Sequence, residues 1–131
     1  MVERQSVFMD IPPDMHVLQG KHFFVIKDGF PVSPGHCLIV SCKSRADFFD
    51  LNQDERSELS ELILEVRKWI EQNYSPDGYN IGMNCGQTAG QTVMHFHCHV
   101  IPRYSGDMEN PEGGIRHCVL GKGHYEMNTP A

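Results

Sequence analysis

The sequence predicts an α+β chain built on an antiparallel sheet with one long and one short helix. Three features carry that reading. Short apolar runs are separated by Gly/Pro turns, Leu59 to Ile70 carry one amphipathic stripe, and His95 to Val100 alternate strictly between two kinds of side chain. Strands that follow one another through short turns pair antiparallel, and only one segment is long enough and periodic enough to be a packing helix.

Along the chain, residues 7–11 and 15–18 are short apolar stretches around Pro12-Pro13, expected to give one strand and its irregular lead-in. Residues 22–27, with Phe23-Phe24-Val25-Ile26, read as a buried strand. Asp28-Gly29 and Pro34-Gly35 supply turn dihedrals, and residues 37–41 form the next strand. Residues 46–51 are mixed and suit one helical turn. Asn52 then caps a helix, with Glu55 three positions on as in a capping box. Leu59, Leu62, Ile63, Val66 and Ile70 make its apolar stripe, and Ser75-Pro76-Asp77-Gly78 ends it. Residues 79–83 and 94–101 complete the strands across a glycine-rich turn. From about residue 103 the chain is polar and irregular, so residues 1–131 read as a single domain with a long functional loop or arm at its end.

The 131 residues suffice for one compact core. A net charge of -6 and the lack of a basic stripe argue against a nucleic-acid polymer as partner. No apolar run approaches the roughly 20 residues of a membrane span, and Met1–Gln5 have no apolar leader core. The five cysteines (Cys37, Cys42, Cys85, Cys98 and Cys118) form no Cys-x-x-Cys pair and read as reduced thiols, which fits a cytoplasmic location.

The chemistry concentrates in His95-Phe96-His97-Cys98-His99. In an extended strand the three imidazoles share one face. A rise of about 3.3 Å per residue separates the outer two by roughly 13 Å. Zinc bonds of about 2.0–2.1 Å cannot reach both. At most two neighbours would share an ion, with ligands such as His36 added; otherwise the imidazoles act by their own nucleophilic and acid–base chemistry. Just ahead, Asn84-Cys85-Gly86-Gln87-Thr88-Ala89-Gly90-Gln91-Thr92-Val93 has the small residues that let backbone amides approach an anion. Arg103, Arg116 and Lys122 read more readily as solvated charges than as polyphosphate contacts. His16, His22, His117 and His124 read as surface or partly packed histidines.

The run Gly90-Gln91-Thr92-Val93-Met94-His95-Phe96-His97-Cys98-His99-Val100-Ile101-Pro102-Arg103, with Phe30-Pro31-Val32-Ser33-Pro34-Gly35-His36, resembles the signature of the histidine triad family of nucleotide hydrolases and transferases. The likeness spans roughly residues 6 to 116 and is greatest to the branch that hydrolyses diadenosine polyphosphates. It implies a two-fold homodimer acting at the α-phosphate of adenylated nucleotides, such as diadenosine polyphosphates or alternatively adenosine phosphoramidates, with no cofactor required. In that likeness His97 is the nucleophile that becomes nucleotidylated, His95 helps order it, His99 contacts the phosphate and His36 supports the triad. Gln91 and Thr92, with the neighbouring Gly90 and Val93 amides, meet the phosphate. Asn84 contacts ribose and phosphate, Asp28 the ribose hydroxyls, and Phe8 and Ile11 line the base pocket. Some relatives bind a structural zinc through an amino-terminal Cys-x-x-Cys. Here that place reads Ser6-Val7-Phe8-Met9, and Arg45 stands where a further ligand histidine often occurs, so no structural zinc is expected. The residues leave two other readings open, a histidine-ligated metalloenzyme and a nucleotide-binding regulatory module with weak catalysis.

Overall fold

A computed structural model of the protein describes residues 6–125. The amino-terminal Met1–Gln5 considered above lie outside them. Five strands form one antiparallel sheet in the order β1-β2-β3-β5-β4, where β1 is Leu18–Gln19, β2 Phe23–Lys27, β3 Cys37–Ser41, β4 Gly78–Gly82 and β5 His97–Arg103. One α-helix, α1 (Gln53–Asn73), crosses one face. The capping box at Asn52 and Glu55 is present in both directions.

The stretch expected to give a strand with its lead-in is mostly two 3-10 turns, Val7–Asp10 and Pro13–Met15, followed by the two-residue β1. Pro12 and Pro13 lack the amide a ladder needs, and Pro sets the first position of a turn well. The short helix expected at residues 46–51 is likewise a single 3-10 turn, Phe48–Asp50. Among the described residues after Arg103, the chain is irregular apart from one further 3-10 turn, Gly114–Cys118.

Alternation of side chains divides the interior into two layers. Phe23, Val25, Cys37, Ile39, Cys98 and Val100 face α1 and pack with Leu59, Leu62, Val66 and Ile70. Phe24, Ile26, Leu38 and Val40 face the other way, where Phe8 from the first turn covers them. In the register of β3 and β5, Leu38 lies opposite His99 and Val40 opposite His97. Residues opposite one another share a face. His97 and His99 therefore stand on the layer without the helix.

Candidate active site

A cavity of about 920 Å³ opens on that helix-free layer. Its wall includes Phe8, Ile11, Asp28, Asn84, Gly90, Thr92, Val93, His97 and His99. Nine of the twelve residues singled out from sequence thus meet in one place. His36, His95 and Gln91 are the other three, buried behind the wall.

His95 corrects the picture of three imidazoles in a row on one strand. The ladder begins only at His97, because the Phe96 amide turns away to the Arg45 carbonyl at 2.6 Å. The His95 ring is 2% exposed, and its Nε2 lies 2.7 Å from the Ser41 carbonyl oxygen. A carbonyl only accepts, so that nitrogen carries the proton. What His95 offers the site is its backbone. His97 Nδ1 lies 2.8 Å from the His95 carbonyl oxygen, which fixes the proton on Nδ1 and leaves Nε2 with a lone pair. The Phe8 ring packs against the His97 ring with centroids 5.0 Å apart.

Behind His99 the same logic assigns a second chain of protons. The Val32 amide donates to His36 Nδ1 at 3.1 Å, so neutral His36 carries its proton on Nε2. That nitrogen is 2.9 Å from His99 Nδ1 and 3.3 Å from Asp28 Oδ2. By accepting this proton at Nδ1, His99 presents an Nε2–H donor. Burial, with the His36 and His97 charges adding to it and Asp28 opposing, pushes the His99 pKa down to about 4. Burial also lowers His36, against the pull of Asp28. Burial thus favours the neutral form of both rings.

Asp28, His36 and His99 also pose the metal question. Their nearest ligand atoms are separated by 2.9, 3.3 and 3.9 Å. Those spacings resemble the edges of a zinc tetrahedron, roughly 3.4 Å for bonds near 2.0–2.1 Å. The cluster holds one triad histidine with His36, rather than the two considered above. The protons decide against it. A metal on His36 Nε2 requires the proton on Nδ1, where the Val32 amide already points. The residues therefore do not fit a resident ion there.

Gln91 was expected at the phosphate, but its side chain holds the loop instead. Its Oε1 accepts from the Gly86 amide at 2.8 Å, and its Nε2 donates to the Ala46 and Val93 carbonyls at 2.6 and 3.1 Å. Several loop amides are also used internally, those of Ala89, Gly90 and Gln91 bonding back to Gly86 or Gln87. The amides of Thr92 and Val93, in the cavity wall, donate to nothing among the described residues. These two wall amides lie at the end of the loop next to His97. Gly86 and Gly90, at φ 95° and 98°, hold the positive dihedrals that turn the loop.

Sequence reasoning missed Met15 and His16, which close the cavity from the second 3-10 turn. The His16 ring stacks on Phe24 with centroids 4.2 Å apart. Nothing local marks them, since the turn is placed by contacts far away in sequence. Arg103 is held by Asp107 and Asn80, and Arg116 by the Lys122 and Gly123 carbonyls; neither arginine nor Lys122 lines this cavity.

Residues 11–106 match the model of the HIT domain. The chain belongs to the HIT-domain family. An uncharacterized HIT-like protein of Methanocaldococcus jannaschii is 39% identical over 99 residues, covering 74% of each chain. AP-4-A phosphorylase of Mycobacterium tuberculosis is 33% identical over 92 residues, which are 70% of this chain and 47% of that one. The asymmetrical bis(5'-nucleosyl)-tetraphosphatase of Schizosaccharomyces pombe is 38% identical over 77 residues, 59% of this chain and 42% of that one. This HIT domain thus matches less than half the length of either named enzyme. Among solved structures, a HIT family protein of Bacillus anthracis superposes with a TM-score of 0.67 at 33% identity, over 70% of this chain and 65% of that one. A zinc-bound histidine triad family protein of Mycobacterium smegmatis superposes with a TM-score of 0.68 at 28% identity, over 79% and 75% of the two chains.

Proposed function

We propose that this HIT domain cleaves adenylated nucleotides at the α-phosphate, with diadenosine polyphosphates as the leading class, through a covalent nucleotidyl-His97 intermediate. The observation that carries the proposal is the tautomer of His97, whose Nδ1–H is committed to the His95 carbonyl. A neutral imidazole with its lone pair free is an effective nucleophile at neutral pH. In the first step His97 Nε2 forms a bond to the α-phosphorus while the bond to the leaving group breaks. Water then attacks phosphorus, the P–N bond breaks, and His97 is regenerated. The His99 Nε2–H and the Thr92 and Val93 amides are the donors available to the phosphoryl oxygens as charge builds on them. Phe8 and Ile11 offer the apolar wall against which a purine would stack.

A second reading is favoured by one observation. The cavity wall contains Asp14 and Asp28 but no guanidinium, and its one ammonium, that of Lys27, lies 5.8 Å from the centroid of the Trp69 ring. Little positive charge is available for a polyphosphate leaving group, so an adenosine phosphoramidate with an amine leaving group fits the same wall.

The reading includes a two-fold dimer, a cytoplasmic setting supported by five free thiols, and no structural zinc. Supporting the last, the Arg45 guanidinium is held by the buried Glu55 carboxylate at 3.0 Å. The decisive experiment incubates wild type and His97→Asn with diadenosine and phosphoramidate substrates without added metal. Intact-mass spectrometry on acid-free samples follows the adduct. Wild type is expected to turn over and carry a nucleotidyl mass on His97, and the variant to fold and do neither. A fully active variant would remove His97 from the role.

A further inference from the structure

The ladder between β3 and β5 ends where Cys37 pairs with Val100. His36 lies one residue beyond it, at the close of the turn formed by residues 32–35. Pro34 and Pro102, on the two sides of the gap, have no amide with which to extend the ladder. Two hydroxyls join the sides instead. Ser33 Oγ–H donates to the Pro102 carbonyl at 2.6 Å, and the Tyr104 hydroxyl donates to the Pro34 carbonyl at 2.6 Å. One bond runs from the turn to the strand, the other from just past the strand back to the turn. Both are at the short end of the range for O–H···O contacts.

What this turn presents to the site is one amide. The Val32 N–H donates to His36 Nδ1 at 3.1 Å and so keeps the His36 proton on Nε2, 2.9 Å from His99 Nδ1. A contact that short holds a single proton between the rings. If His36 carries its proton on Nδ1 instead, His99 must supply the shared one from its own Nδ1, and its Nε2 is left with a lone pair where a phosphoryl oxygen needs a donor. The two rings therefore change tautomer together or not at all. Asp28 Oδ2, 3.3 Å from His36 Nε2, favours the same arrangement as the amide.

We propose that Ser33 and Tyr104 are positioning residues which, by pinning residues 32–35 to the end of β5, keep the His36–His99 pair in the arrangement that offers a donor to the cavity. Neither lines the cavity, so both act through the turn. This rests on the reading that His99 donates to a phosphoryl oxygen while His97 attacks, and it adds that two hydroxyls outside the cavity set the rate of that step. Loosening the turn lets the Val32 amide leave His36 Nδ1, and the opposite tautomer pair becomes populated. Each ring keeps one proton throughout.

The test begins with the nucleotide-free protein. Histidine-selective 15N NMR at pH 7 reads the tautomers of His36 and His99 in wild type, Ser33→Ala, Tyr104→Phe and the double variant. Wild type is expected to show Nε2–H on both rings, and the double variant a mixture at both. The rate of His97 adduct formation at saturating substrate is expected to fall about tenfold in the double variant and less in each single one, with KM held within about twofold, as for groups that align rather than bind. Ser33→Thr keeps a hydroxyl and should restore both the tautomer and the rate. Tyr104→Phe removes only an oxygen, so the comparison stands even if Ser33→Ala folds poorly. A lower melting temperature with tautomers and saturating rate unchanged overturns the proposal, because the hydroxyls then do no more than hold the turn. So does an effect confined to KM. If no adduct forms on wild type with any nucleotide, the reading of His97 fails, and the NMR comparison, which needs no substrate, still decides the role of the two hydroxyls.

Discussion

Replacing Gln91 by Ala separates a residue that touches substrate from one that builds the loop. Gln91 is 3% exposed and makes three hydrogen bonds, to Gly86, Ala46 and Val93. Each is worth about 0.5–1.5 kcal/mol net, and the groups left behind are shielded from water, so the loss sums to roughly 3 kcal/mol. With a urea slope of about 1.5 kcal/mol per molar, the unfolding midpoint falls by roughly 2 M. Gln91→Glu keeps the acceptor for Gly86 but sets a carboxylate against the Ala46 and Val93 carbonyls, and is expected to fall at least as far. Urea unfolding followed by circular dichroism, with kcat and KM measured on the same samples, is the assay. Activity should drop together with stability in both variants. A Gln91→Ala protein with an unchanged midpoint but no activity would refute the reasoning and return Gln91 to the substrate.

Gly35→Ala places a Cβ 3.0 Å from the Tyr74 ring at φ +90°, in the turn that presents His36. It is expected to cost about 1–3 kcal/mol in thermal or urea unfolding, and an unchanged midpoint would contradict the packing described. His99 ties stability to pH. Its folded pKa is depressed from 6.5 to about 4, so its contribution is complete above pH 6.5 and is lost as pH falls toward 4. At about 1.4 kcal/mol per unit the contribution is at most roughly 3 kcal/mol. His99→Asn should flatten the slope of unfolding free energy over that window. Elemental analysis of purified protein is expected to give far less than one zinc per chain; a stoichiometric ion would undo the reading of the Arg45–Glu55 pair.

Much of the sheet was legible because burial on two faces imposes its period on the sequence. Phe23 to Lys27 and Cys37 to Ser41 are the strands the patterns suggested, and they pair residue for residue. Capping at Asn52 and Glu55 was legible for the same local reason. The exceptions are long-range. His95 continues the alternation on paper, yet the Phe96 amide goes to Arg45, 51 positions back, and the ladder starts late. Gln91 reads as a polar residue beside a glycine loop until Ala46, 45 positions away, is placed against it. The two turns at residues 7–15 are set by prolines and by the seating of Phe8 on the sheet, and no periodicity encodes that.

The alternation along β5 carries a lesson about divergence. Cys98, Val100 and Pro102 are buried, while His97, His99 and Ile101 between them are only partly so. The groups around the cavity thus sit on one side of a ribbon whose other side anchors the helix. A lineage can retune what it recognises on the first side without loosening the second, which would let distant cousins keep one scaffold while parting ways in chemistry.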